Sequence, residues 1–198
     1  MTEITKLKNR DCKKVIEAAI EGMHFDRYLD NKFLLKVYGK YFFYTELLRA
    51  TNILAAYNDE GFAGLLLAEV YGREKAYTSC VKKMYIKLFD TIFGSYSSLY
   101  ERARKELEKE YKKHSSPAGE ITFLVVKCNM QNKGIGTLLL NELEKSLKGE
   151  EIFVHTDDVC TYQFYEKSGF DKKMQKDVAI NTVNEKMSVS CLLYTKRI

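Results

Sequence analysis

The segment that most constrains the fold is a junction near the middle of the chain, where one apolar run gives way through glycines to a second run of different period. Ile121 to Lys127 carries few polar residues and reads as a buried strand. From Ile135 to Leu147, Leu138, Leu139, Leu143 and Leu147 recur at helical spacing. Between them, Gly134 and Gly136 leave the backbone bare where the helix starts. The first amides of a helix have no acceptor within it, and the helix dipole adds to them. Such a turn is an anion site without any charged side chain, and Lys133 adds a positive charge beside it. A diphosphate is the natural guest.

The flanking sequence sets this junction in a mixed architecture. Ile4 to Leu7 reads as a short strand, and Val15, Ile16, Ala19 and Ile20 mark an amphipathic helix from Asp11 onward. Phe33 to Leu48 leans helical. Asn52–Tyr57 and Phe62–Val70 read as two strands around the turn residues Asn58-Asp59-Glu60-Gly61, a hairpin. Residues 74–113 form a helical block. Its apolar stripe is Val81, Met84, Tyr85, Leu88, Phe89, Ile92 and Phe93, expected to be core packing, with a dimer face or pocket wall as the rarer reading. Gly94 and serines 95, 97 and 98 break the block, and Ser98-Leu99-Tyr100-Glu101 reads as a capping box. After a loop over 114–119 come the strand and helix just described. Then follow a strand from Glu151 to His155, a short helix over Val159 to Ser168 stopped by Gly169, and strands at Lys173–Ile180 and Lys186–Lys196 joined near Asn181 and Asn184. With 198 residues, 45% of them hydrophobic, this order predicts a single α+β domain over 1–198 with a mixed sheet.

Composition removes several classes. No apolar run approaches the roughly 18 residues of a membrane span, and the first residues lack the apolar core of a secretory leader. The expectation is a cytoplasmic protein with no membrane partner. The net charge of +5 favours acidic partners, phosphorylated cofactors among them. The densest charged stretch, Glu101 to Lys113, mixes both signs, with Glu101–Lys105 and Glu108–Lys112 at helical spacing, so it reads as a solvated helix face and not a nucleic-acid patch. Five cysteines without a CxxC pair and three histidines predict reduced, mostly buried thiols and no metal site.

Phosphate-binding motifs narrow the anion site. The P-loop pattern GxxxxGK[ST] is absent. A dinucleotide fingerprint would need a glycine where Leu139 stands and a shorter loop after Val126, although Asp157 lies about 20 residues downstream, as a ribose-binding acid would. The pattern Gln131-x-x-Gly134-x-Gly136 resembles motif A of the GNAT acetyltransferase superfamily, Gln/Arg-x-x-Gly-x-Gly/Ala. Tyr162-Gln163-Phe164-Tyr165-Glu166-Lys167-Ser168-Gly169-Phe170 resembles the second signature of that family, at the usual spacing from the first. Asp59 to Gly64 is similar to its β2–β3 hairpin and Tyr194-Thr195-Lys196 to its last strand. The resemblance covers 119–170 firmly, 51–72 and 171–198 more loosely, and does not extend to 74–113.

The resemblance implies the acyl-CoA N-acyltransferase fold, a mostly antiparallel sheet with flanking helices and two parallel strands, Ile121–Lys127 and Ile152–Thr156, that splay to admit acetyl-CoA. The 74–113 block would be a helical insertion over one end of the acceptor cleft. The pantetheine arm would pair with Leu124, Val125, Val126 and the start of Lys127, and the diphosphate would sit on Gln131, Asn132, Lys133, Gly134, Ile135, Gly136 and Thr137. The activity implied is acetyl transfer to a primary amine by direct attack in a ternary complex. An amide near Val126 would polarise the thioester carbonyl. Tyr165 would protonate the leaving thiolate and touch the coenzyme. The family's frequent glutamate is replaced by Thr122, so Glu120, His155 and, less readily, Glu69 are the candidate bases, with a water chain as the route that needs none. Asp158 stands where the family often has a coenzyme-contacting Asn, and also reads as the cap of the 159–168 helix. Cys128 and Cys160 lack a neighbouring histidine, which argues against a thiol nucleophile. The missing glutamate keeps open a non-catalytic acyl-CoA-binding or regulatory module on the same fold. A homodimer through terminal strands or the 74–113 helices is also open.

Overall fold

The computed structural model describes residues 1–93, 99–181 and 186–198, apart from the side chain of Asn181. Seven strands form one sheet: β1 Glu3–Thr5, β2 Asn52–Asn58, β3 Gly61–Val70, β4 Gly119–Val126, β5 Glu151–Asp157, β6 Asp171–Asn181 and β7 Lys186–Arg197. Their order across the sheet is β1-β2-β3-β4-β5-β7-β6. Every neighbouring pair is antiparallel except β4–β5. The strand–helix–strand connection through α5 (Ile135–Glu144) makes that exception, because a helical crossover returns the chain in the same direction.

Local chemistry fixes the elements around it. The β2–β3 turn closes with Asn58 Oδ1 accepting from Glu60 N–H at 3.0 Å and Gly61 at φ 97°, a conformation glycine adopts without strain. Asn31 caps α2 (Lys32–Arg49), its Oδ1 accepting from Phe33 and Leu34 N–H at 2.9 and 3.1 Å. Helices α1 (Cys12–Gly22) and α2 cover one face of β2–β4 through Val15, Ala19, Phe43 and Leu47. Helix α5 covers the opposite face with Leu139, Leu140, Leu143 and, just past its end, Leu147, each worth about 1.5–3 kcal/mol of apolar burial. Leu138, expected in that stripe, is exposed and Leu140 takes its place, since the helix meets the sheet one residue further round.

The 74–113 block is α3 (Cys80–Phe93) and α4 (Leu99–Tyr111), inserted between β3 and β4. Helix α4 lays Ala103, Leu107 and Tyr111 on Phe153, Cys191 and Leu193, and its Glu108–Lys112 pair forms at 2.6 Å. Helix α3 departs from the core-packing expectation. Tyr85 and Phe89 pack on Tyr44 and Tyr41 of α2, but Val81, Met84, Leu88, Ile92 and Phe93 face outward, with Val81 71% and Met84 67% exposed. The helix rests on one neighbour and so can bury only one side. Gly94, Tyr96, Ser98 with its capping box, and the Asn184 turn lie outside the described residues. The C-terminal short helix is α6, Gln163–Lys167 only, because turns occupy 158–162. Of the five thiols only Cys191 is buried, fewer than expected, and Cys80 and Cys128 are exposed. No helix among the described residues is long and apolar enough to cross a membrane.

Candidate functional site

The parallel pair β4–β5 is short. Its rungs are Gly119↔Ile152, Glu120↔Phe153 and Ile121↔Val154, and beyond them the strands part. A bulge opens the gap. The β3–β4 register passes from Ala68↔Ile121 to Leu67↔Phe123, so Thr122 has no partner and β4 bends there. Lys127 N–H bonds back to Ala63 C=O at 2.9 Å. Period-two alternation from that bond turns the Leu124 and Val126 amides away from β3, onto the open edge. Gly119 sits where the pair begins. A Cβ there would meet Glu69 O at 2.2 Å, so only glycine lets β3 and β4 approach so closely.

The β4 strand leads through Lys127–Gln131 to the glycine turn. Asn132 and Gly134 are both left-handed, at φ 61° and 76°. No side chain caps α5, and its first backward bond is Leu138 N–H to Gly134 C=O at 3.0 Å. The amides of Ile135, Gly136 and Thr137 precede that bond and have no acceptor in the helix. Space beside Gly134 is open, with nothing within 4 Å of an added Cβ. Gly136 instead lies against Phe164 of α6, whose ring atoms would stand 3.1 Å from a Cβ. That close approach brings Tyr165 into the α5 side of the sheet. Tyr165 is buried against Phe164 and Phe170, and its hydroxyl has no hydrogen bond among the described residues. Burial pushes its pKa well above the ordinary tyrosine value.

Asp158, expected as a helix cap, is not one. No side chain caps α6; Asp157 Oδ1 closes the turn before it, accepting from Val159 and Cys160 N–H at 3.0 and 2.8 Å, while Asp158 Oδ1 accepts from Ser190 N–H of β7 at 2.9 Å. Burial raises the Cys160 thiol far above its usual range, and Glu21, whose carboxylate accepts from the Cys128 thiol at 3.2 Å, raises that one. Neither is activated as a nucleophile.

The opposite face of the splay, beneath α2 and α4, holds charge. Glu120, 1% exposed, accepts from Arg49 Nη2 at 2.6 Å and pairs with Arg104 at 3.6 Å. Arg49 Nε also donates to Glu69 at 3.0 Å, and Glu69 meets Lys75 as well. Glu46 of α2, 6% exposed, sits beside Thr122 and has Arg49 Nη1 at 3.6 Å, yet its Oε2 is buried with no hydrogen-bond partner. Burial raises Glu46 to about 7, against the pull of Arg49 and Arg104. His155 on β5 stacks edge-on to Phe153 with both ring nitrogens buried and unpartnered. Burial, with Arg104, Arg49 and Lys112 nearby, lowers it to about 3, so it is neutral.

The sequence reading thus placed Glu120 and His155 on this face and passed over Glu46, Arg49 and Arg104. A usable signal was present. Phe43, Leu47 and Ala50 lie on the buried side of α2, and Glu46 falls on that same stripe, where an acid needs a reason.

Comparisons with known proteins bear on this site. The model of the Acetyltransferase (GNAT) family matches residues 41–170. A search of curated proteins finds no match. Among solved structures, one from Pyrococcus horikoshii OT3 is 15% identical, with TM-score 0.62, covering 100% of this chain and 99% of that one. The PaiA N-acetyltransferase from Thermoplasma acidophilum, in complex with coenzyme A, is 17% identical with TM-score 0.55, at 100% and 99% coverage. The ribosomal-protein-S18-alanine N-acetyltransferase from Escherichia coli is 14% identical with TM-score 0.51, at 100% and 94% coverage. At such identities these structures establish a shared fold.

Proposed function

The chain belongs to the Acetyltransferase (GNAT) family, and on that premise we propose that it transfers an acetyl group from acetyl-CoA to a primary amine by direct attack in a ternary complex. One observation carries the reading: β4 parts from β5 after Ile121 and Val154 and runs on into a helix start with unpaired amides. A cofactor with an extended amide arm and a diphosphate suits both features at once. The coenzyme A bound to the Thermoplasma acidophilum protein supports a ligand of the coenzyme A class.

Leu124, Val125 and Val126 would hold the pantetheine, by added-strand pairing to the amides on the open edge. Gln131 to Thr137 would hold the diphosphate, Gly134 because its surroundings are open and Ile135, Gly136 and Thr137 by their amides. Asp158, tied to β7, would border the coenzyme with its backbone and not its carboxylate. Acetyl-CoA supplies an activated thioester. The Val126 amide, turned to the open edge, would donate to the thioester carbonyl oxygen as negative charge grows on it. Tyr165 stays protonated because burial raises its pKa, which suits a donor to the thiolate and not a base. Glu120 is held by two arginines, and neutral His155 is too weak a base to keep a proton near neutral pH, so both serve to shape the acceptor side.

Calorimetric titration with acetyl-CoA tests this reading, alongside Gly134→Glu. The variant puts a carboxylate into the anion turn and strains a left-handed residue. Wild-type binding that vanishes in the variant is the expected result. A folded wild-type protein that binds no acetyl-CoA overturns the reading. Binding without amine-dependent thiol release identifies instead the non-catalytic module that Thr122 suggested.

A further inference from the structure

We propose that Glu46 receives the proton that the acceptor amine sheds as it attacks. This inference rests on the acetyl-transfer reading above and adds to it a residue outside both signature motifs. Three carboxylates crowd the α2 side of the splay, and two hold cations at hydrogen-bond distance. Glu69 is bound by Arg49 and Lys75, and Glu120 by Arg49 and Arg104. Glu46 differs from them in that its buried Oε2 accepts no hydrogen bond and meets only Arg49 Nη1, at 3.6 Å. Its nearest cation, Arg49, spends its closest contacts on Glu69 and Glu120. A buried oxygen of this kind is costly unless a guest satisfies it.

Its position gives the guest a direction. Glu46 stands beside Thr122, the bulged residue one step past the last β4–β5 rung. Across the gap on β5, His155 carries two more buried acceptors or donors without partners, one residue past the same rung. An amine reaching this side of the gap would donate an N–H to Glu46 Oε2. Groups facing Glu46 from each neighbouring element are Arg49 on α2, Arg104 on α4, and Glu120 and Thr122 on β4. Burial outweighs the two arginines and leaves the Glu46 carboxyl poised to gain and lose a proton near neutral pH.

The step balances. The amine nitrogen forms a bond to the acetyl carbon, the carbon–sulfur bond breaks, and the sulfur keeps its electron pair. The amine proton passes to Glu46 Oε2, the thiolate takes a proton from Tyr165, and solvent exchange returns both residues to their starting states.

The test compares wild type, Glu46→Gln and Glu46→Asp. Thiol release from acetyl-CoA is followed with butylamine, lysine and an alanyl tripeptide as acceptors between pH 5.5 and 9, and acetyl-CoA affinity is measured separately. Glu46→Gln should keep wild-type acetyl-CoA affinity, lose about 10²–10⁴ in kcat, and lose the acidic limb of its pH profile. Glu46→Asp should recover part of kcat with the limb restored. Glu46→Gln with wild-type kcat and an unchanged acidic limb overturns the assignment while leaving acetyl transfer intact. Wild type that binds acetyl-CoA but releases no thiol with any of these amines overturns both.

Discussion

Glu46 and His155 make opposed demands on pH, and their opposition can be measured as stability. The folded-state pKa of Glu46 rises from an ordinary 4.5 to about 7, so its contribution is fully present below 4.5 and lost as pH climbs through 7. His155 falls from 6.5 to about 3, so its contribution is present above 6.5 and lost as pH drops toward 3. At about 1.36 kcal/mol per unit, moving from pH 4.5 to 7 costs roughly 2–3 kcal/mol through Glu46 and returns a similar amount through His155. In the wild-type protein the two oppose each other over that window. Each single substitution removes one side. Glu46→Gln should gain roughly 2–3 kcal/mol relative to wild type on going from pH 4.5 to 7, and His155→Leu should lose a similar amount. Taking the difference from wild type at each pH removes the titrations of every other group. The chain has no Trp, so urea unfolding is best followed by far-UV circular dichroism, with the urea slope checked for constancy. If both variants run parallel to wild type across the window, the two groups are not desolvated as the fold places them and the reasoning fails.

Three further outcomes follow from the same geometry. Gly119→Ala should destabilise by at least about 1–3 kcal/mol, because its Cβ would face Glu69 O at 2.2 Å and Val70 Cα at 2.8 Å, both backbone atoms; an unchanged urea midpoint would count against this close approach. Tyr165→Phe should leave acetyl-CoA affinity near wild type and reduce kcat by about 10²-fold, read from steady-state thiol release; full activity would remove Tyr165 as the donor. Sedimentation velocity of wild type and Met84→Glu/Leu88→Glu tests the outward stripe of α3 as a homodimer face: a wild-type dimer that becomes a monomer in the variant would support it, and a monomeric wild type would exclude it.

What the sequence determined by itself is whatever neighbours in the chain encode. The β4 strand, the glycine turn and α5 follow from periodicity and from residues that permit left-handed backbone, and all of these act over a few positions. The hairpin at Asn58–Gly61 was legible for the same reason. The two signature stretches were legible because their residues are contiguous, and the family match spans them. Only the tertiary structure decided the rest. It set Arg49 on Glu120 across 71 residues of sequence, placed the bulge at Thr122, and tied Asp158 to Ser190 of β7 instead of to a helix start. It turned most of the apolar stripe of α3 to solvent. Periodicity states that a face is apolar, not what lies opposite it. Likewise a charge in a sequence carries no desolvation cost until folding buries it, and the contacts that folding supplies separate Glu46, whose Oε2 has Arg49 only at 3.6 Å, from Glu120, equally buried but held by Arg49 at 2.6 Å.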